Sequence, residues 1–388
     1  MQMLADFLKR LSPPQTPALV IRRAALTANL AALQTDCDAA GVRLRAHGKM
    51  HKCSTLGRLQ VAGGAVGLCC QTVGEAEAYV AGGIGDVLVT APSPGWGWPR
   101  LAALTGRAQV AAVVDSTAQV AAAAGSGLAL YVDIDLGQHR AGVAPEAALA
   151  LARVIAVTPG VRFGGIQAYC GHIQHIAEIA ARRAAHAAAS ARLAAVVADF
   201  VAGGLAPPIV TGGGTGTSAL DLAGGVFTEL QAGSYALMDV EYGACDGPDG
   251  DWPFQPALFV AATVVSALHR AFVTCDAGLK AVHSDGPPPR VVAGAAPGSR
   301  WRSFGDEHGG IMHPAFLDRL RNAANPVAEV DAIDAEATRQ DDAPAEGALV
   351  WLQPGHVDPT VALHDAYWVA DEDGRLERWP IDARRMSA

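Results

Sequence analysis

Residues 43–54, "RLRAHGKMHKCS", bring Arg43, Arg45, His47, Lys49, His51 and Lys52 together in a chain that is otherwise poor in charge. A solvated surface run is the ordinary explanation. The spacing suggests another, because Arg43, Arg45, His47 and Lys49 alternate with Val42, Leu44, Ala46 and Gly48. Alternate side chains of a strand share a face, so the pattern predicts a basic row ending in an amine. Flanking cationic groups would disfavour the ammonium form of Lys49 and leave it a nucleophile. Lys52, three residues on, faces elsewhere. Two further patterns bear chemistry. "VTGGGTGTSA" (210–219) joins three successive glycines to Thr215, Thr217 and Ser218, a composition that lets backbone N–H groups approach an anion. His356 and Asp358 stand two apart and can face one cation. Taken alone, the first is nearly as well read as a flexible turn, and the second more often as a surface pair.

These residues need elements to hold them. Eight short β-rich runs recur: 42–47, 66–72, 86–92, 109–116, 128–137, 161–170, 207–214 and 227–235, with Ala-rich, helix-favouring spacers between most of them. Eight strands alternating with helices predict a closed (β/α)8 TIM barrel, an open doubly wound sheet being the alternative. Beyond about residue 240 the β-branched runs lose their helical spacers, which predicts a second, mostly antiparallel β domain. The expected division is 1–16 as an N-terminal segment packing on the β domain, 17–243 as the barrel and 244–388 as the β domain. Barrel enzymes place reactive groups at the carboxyl ends of strands. That rule collects Lys49, Gln71 and Thr72, Arg140, Tyr169 and His172, the glycine loop, and Gly233-Ser234-Tyr235.

The chain has 388 residues, 51% hydrophobic and 17% charged, with formal net charge -9. Such a chain buries a large core and gives no reason to expect nucleic acid or an anionic membrane as partner. The seven scattered cysteines form no CxxC pair and read as reduced thiols, and no charge-free segment has the length of a bilayer span. A cytoplasmic protein is expected. A nucleophilic lysine and a monophosphate loop in one barrel match the needs of pyridoxal 5′-phosphate (PLP), which requires an amine for a Schiff base and a cradle for its phosphate. The dinucleotide spacing G-x-G-x-x-G is not completed, since Ala219 stands in the last glycine's place.

The stretches "TPALVIRRAALTANLAAL" (16–33), "RAHGKMHK" (45–52), "DLGQHRAGV" (135–143), "QAYCGHIQH" (167–175), "TGGGTGT", "ELQAGSYALMD" (229–239), "CDAGLKAVHSD" (275–285), "GDEHG" (305–309) and "PGHVDPTVALHDAYWV" (354–369) resemble, in the same order, the D-threonine aldolase and eukaryotic-type D-serine dehydratase family. These are fold type III PLP enzymes with an alanine-racemase-like barrel and a β domain. Within the family, the sequence looks most like the bacterial 3-hydroxyaspartate aldolases.

The resemblance implies a site. Lys49 takes the place of the cofactor-binding lysine in the family's R-P-H-x-K-T-H-K stretch, from which this chain departs at Ala46 and Met50. Arg140 would restrain the ring phenolate or the substrate carboxylate, Tyr169 would face the ring, and His51 or His172 could serve as base. Gln71, Thr72, Thr211, Gly213, Gly214, Thr215, Gly233, Ser234 and Tyr235 would complete the cofactor site. His356 and Asp358 would bind a divalent metal. The family's dehydratases carry a cysteine at the second position, suited to Zn²⁺, whereas an aspartate favours Mg²⁺ or Mn²⁺ and an aldolase. The implied reaction cleaves the Cα–Cβ bond of a small D-configured 3-hydroxy amino acid, 3-hydroxyaspartate giving glycine and glyoxylate, in a homodimer. D-Threonine cleavage, D-serine dehydration and a non-catalytic PLP carrier are the alternatives. Arg22, Arg23, Lys280, Arg300 and Arg302 are candidates for a distal substrate carboxylate.

Overall fold

The computed structural model describes residues 2–384. All eight sequence runs become strands, in order: β2 (Arg43–His47), β3 (Gly67–Cys70), β4 (Asp86–Val89), β5 (Gln109–Val114), β6 (Ala129–Asp133), β7 (Arg162–Ala168), β8 (Val210–Gly212) and β9 (Glu229–Leu230). They close a parallel barrel in sequence order, β9 pairing back to β2. Strands buried on both faces need continuous apolar runs, and β3, β5 and β6 supply them. Helices follow the strands, most of them at a polar or small N-cap. Thr72 caps the helix Val73–Ala81 by accepting from Glu75 N–H, and Ser116 caps Thr117–Ala123 from Gln119 N–H.

The strand preceding the barrel, β1 (Ala18–Arg22), does not join it. It pairs antiparallel with β10 (Leu258–Ser266) and parallel with β16 (Ala366–Ala370). Together with β11 (Phe272–Cys275), β12 (Arg290–Ala293), β13 (Arg300–Ser303), β14 (Gly309–Met312), β15 (Leu349–Gln353) and β17 (Leu376–Pro380) they form a nine-stranded sheet. Every pairing in that sheet other than β1 with β16 is antiparallel. The helix Gln2–Lys9 sends Phe7 and Leu8 into one core with Leu11, Val20, Phe259 and Trp351. One compact unit therefore comprises the chain to Thr27, Leu237–Gly243 and Gln255–Pro380. The other comprises Ala28–Ala236, Ala244–Phe254 and, of the described residues beyond the sheet, 381–384. This division differs from boundaries at 16/17 and 243/244, because the partners of β1 lie more than two hundred residues away.

The helix Ile179–Ala202 is long and apolar enough, by length and composition, to cross a membrane. Its Arg182, His186, Leu193, Val196 and Phe200 are buried against the barrel.

Candidate active site

The barrel interior is polar where the strands end. The strand β2 stops at His47, and Lys49 lies on the following 3-10 turn, Gly48–Met50. The backbone N–H of Lys49 donates to His47 Nδ1 at 3.4 Å, which leaves the ring's proton on Nε2, 3.0 Å from Thr90 Oγ1. The Thr90 hydroxyl in turn donates to Cys70 O at 3.1 Å, with Gln71 Oε1 at 3.3 Å as a second acceptor. Burial, and then the positive charge of Lys49, hold the His47 pKa well below the ordinary histidine value. His47 is thus a neutral, singly oriented ring that ties the lysine-bearing turn to the barrel wall.

The basic row predicted along β2 is broken up. Arg43 is exposed at the start of the strand. Arg45 is 5% exposed and committed, with Nε 2.9 Å from Glu229 Oε1 and Nη1 2.7 Å from Asp86 Oδ1. Burial works against its charge, but the two carboxylates more than offset that and raise its pKa. Arg45 is therefore a compensated core ion, committed to Glu229 and Asp86. Lys52, at φ +49°, pairs with buried Glu75, whose other oxygen accepts Gln71 N–H at 2.7 Å. It is a structural lysine.

Above the Arg45 pair, Gln167 Nε2 donates to Asp133 Oδ1 and to Thr90 O, both at 3.0 Å. Gln231 Nε2 donates to Gln167 Oε1 at 3.1 Å and to Thr211 Oγ1 at 3.0 Å. Thr211, expected at the cofactor, is fully buried in this network. Asp133 lies at the end of β6, where burial pushes its carboxyl up to about 6 against the opposing bond from Gln167; Arg140 lowers it to a lesser degree. Arg140 itself is exposed, its guanidinium 5.7 Å from the centroid of half-buried Tyr169. His172 is exposed on the 3-10 turn Gly171–Ile173.

His51 is fully buried. Its Nδ1 accepts Cys53 N–H at 3.1 Å, and Nε2 lies 3.2 Å from Gln60 Oε1. Gln60 Nε2 donates to the Tyr235 hydroxyl at 3.2 Å. A base reaching substrate from that position would have to leave both partners, so of the two candidate histidines the exposed His172 is the better placed. Tyr235 is likewise buried and its hydroxyl pKa raised by that burial. Its backbone N–H donates to Thr215 Oγ1 at 3.0 Å, which stitches Gly233-Ser234-Tyr235 to the glycine loop.

The loop itself fits a phosphate more narrowly than its composition suggests. Gly213 adopts φ +71°, and a Cβ there would sit 2.3 Å from Asp221 Oδ2. A Cβ on Gly216 would lie 2.0 Å from Gln174 O. These glycines are required by packing behind the loop. Of the three hydroxyls, Thr217 donates to Asp221 Oδ2 at 2.6 Å and Ser218 donates to Thr215 O at 3.1 Å. Thr215 Oγ1 only accepts among the described residues, so its proton is the one left for an anion. Lys49 as amine, Thr215 as hydroxyl donor, the backbone of 213–216 and 233–234, and the Arg140–Tyr169 stack form a set that fits PLP.

In the other unit, His356 immediately precedes the short helix Val357–Val361, with no capping hydrogen bond from its side chain, and Asp358 lies in the first turn. Nearby, His356 Nδ1 is 3.2 Å from Asp285 Oδ2 and 3.8 Å from Glu241 Oε2. Buried Asp239 accepts Val357 N–H at 3.0 Å and Tyr242 N–H at 2.9 Å, and burial pushes its carboxyl up to about 6. One imidazole and several carboxylates suit a hard divalent cation. Among the described residues, however, no three such side chains converge on a point. His356 and Asp358 would hold a metal as two protein ligands, with water or substrate completing its shell. Of the arginines and lysine considered for a distal carboxylate, Arg22 pairs with Glu372, Arg23 with Asp371 and Glu377, and Lys280 with Glu307. Arg300 and Arg302 are exposed on β13.

The signal for Thr90 and Gln167 was available as polar residues at strand ends. Asp221, Glu241 and Asp285 carried none.

Comparison with known proteins agrees with this fold. The alanine racemase N-terminal domain matches residues 21–240, and a putative serine dehydratase domain matches residues 257–370. A D-threonine aldolase of Arthrobacter sp. is 39% identical over 96% of this chain and 93% of its own length. A 3-hydroxy-D-aspartate aldolase of Paracoccus denitrificans (strain Pd 1222) is 37% identical over 95% and 92%. The crystal structure of a D-threonine aldolase from Filomicrobium marinum superposes with TM-score 0.85 at 33% identity, covering 95% of this chain and 96% of that one. With an eight-stranded barrel whose first strand leads into a lysine-bearing turn, a separate, mostly antiparallel sheet, and these relatives along nearly its whole length, the chain belongs to the fold type III, PLP-dependent family of D-threonine aldolases and D-serine dehydratases, and is one of its aldehyde-lyases.

Proposed function

We propose that this chain cleaves the Cα–Cβ bond of a D-configured 3-hydroxy amino acid, 3-hydroxyaspartate giving glycine and glyoxylate, with PLP and a divalent metal, Mg²⁺ or Mn²⁺. The observation that carries the reading is Lys49 on a turn at the carboxyl end of the first barrel strand, pinned by a neutral His47. PLP, when bound, would supply an electron sink for the bonds at Cα, and a divalent metal held by His356 and Asp358 would supply a Lewis acid.

The chain's own groups do the positioning. The Lys49 amine is presented from a turn whose first residue, Gly48, is backed by Tyr79, the hydroxyl of which donates to Gly48 O at 2.7 Å. Arg140, free of any carboxylate partner in salt-bridge range among the described residues, offers a guanidinium to an anionic oxygen. His172, exposed on its turn, is the candidate base for the proton of the substrate 3-hydroxyl. A cytoplasmic homodimer belongs to the same reading; composition and the resemblance support it.

The second reading is D-threonine as substrate, favoured by the 39% identity to the Arthrobacter enzyme. Turnover of D-threonine against both diastereomers of D-3-hydroxyaspartate, with and without Mg²⁺ or Mn²⁺, separates the two. Pyruvate from D-serine would instead make it a dehydratase. A Lys49→Ala protein that kept both turnover and the yellow cofactor colour would overturn the assignment.

A further inference from the structure

Behind the glycine loop lies a carboxylate that the reaction does not use. Asp221 is 3% exposed and meets the loop at three points. Its Oδ2 accepts the Thr217 hydroxyl at 2.6 Å and the Gly214 N–H at 3.4 Å, and it blocks any side chain at Gly213. Its Oδ1 lies 2.8 Å from His186 Nε2, on the buried face of the helix Ile179–Ala202. Gln174 Nε2 holds the same Thr217 hydroxyl from the other side at 3.0 Å.

A carboxylate is an unexpected neighbour for a phosphate. Like charges in a buried region repel strongly, so its presence needs an opposing benefit. Two features supply one. The imidazole N–H and the loop donors spread the Asp221 charge away from the front of the loop. The same bonds also hold the positive φ of Gly213 and the start of the Thr215–Thr217 turn before any anion arrives, which lowers the cost of ordering the loop when the cofactor binds.

We propose that Asp221, braced by His186, is a positioning residue that pre-shapes Gly213–Thr217 for the phosphate group, and so sets the preference for phosphorylated over unphosphorylated cofactor. The inference rests on the PLP reading above and goes beyond it. It concerns neither the reactive amine nor the metal.

The test compares PLP with pyridoxal, which keeps the aldehyde and ring but lacks the phosphate. The full chain is stripped of cofactor with hydroxylamine, and each compound is titrated by absorbance into wild type, Asp221→Ala, Asp221→Asn and His186→Gln. Asp221→Ala is expected to weaken PLP about tenfold or more while moving pyridoxal less than about twofold. Asp221→Asn, which can still accept from Thr217, is expected to lose less, and His186→Gln to fall between them. Should the alanine variant fail to fold, the other two carry the comparison. Equal losses for PLP and pyridoxal would show a general structural role and overturn the proposal, as would unchanged affinity for both. Wild type that takes up neither compound is a distinct result, because it removes the PLP reading itself.

Discussion

Replacing Asp133 by asparagine removes one ionisable proton from the floor of the barrel mouth while keeping the shape of the side chain. The Asn Oδ1 can still accept Gln167 Nε2, now 3.0 Å from Asp133 Oδ1. What changes is the charge. Burial raises this carboxyl from 3.8 to about 6, so the folded chain holds a proton there that the unfolded chain has already released. Between roughly pH 4 and 6 the native state binds more protons, and stability falls as pH rises. Above pH 6 the penalty is complete, about 3 kcal/mol for a displacement of about two pH units. Asp133→Asn should therefore be as stable as wild type near pH 3.5 and more stable by up to about 3 kcal/mol at pH 7.5. The assay is thermal unfolding of both proteins, free of cofactor, across pH 3.5–8, read as the difference between them. A difference that stays constant with pH would refute the argument, since it would mean Asp133 does not titrate in that window. A difference of opposite slope would mean that Arg140 outweighs burial.

Other expectations follow from the same geometry. Thr90→Val leaves the His47 Nε2–H without its acceptor, at about 1–3 kcal/mol, and should slow turnover about tenfold to a hundredfold, with Thr90→Ser restoring it in steady-state assays. Arg45→Met strands Glu229, which is fully buried with Oε2 already unbonded; a loss of about 3–5 kcal/mol in unfolding experiments is expected, largely recovered when Glu229→Gln is added. Asp285→Ala removes the carboxylate 3.2 Å from His356 Nδ1. It should weaken Mn²⁺ binding about tenfold to a hundredfold by electron paramagnetic resonance, without changing PLP uptake.

The barrel was legible because each strand–helix unit writes its own pattern within about thirty residues, as "LALYVDIDLG" and the helix after it show. β1 was not. "TPALVIR" is locally indistinguishable from a barrel strand, and only pairing with β10 and β16 places it in the other sheet. Arg45 departs from the basic row for a related reason. Alternation put it on the face of Lys49, yet its charge is cancelled by Glu229, 184 residues further on.

Which residue types stand at the strand ends and in the glycine loop is written locally in the chain, since such placements are choices among neighbouring residues. The tertiary structure alone decided what each can still do. It spent the hydroxyls of Thr217 and Ser218 and both ring nitrogens of His51 on the protein, and left Thr215, Arg140 and His172 available. The physical reason is that a hydrogen-bonding group is defined by its partner, and partners are brought together across the fold by burial, at separations that no run of neighbouring residues records.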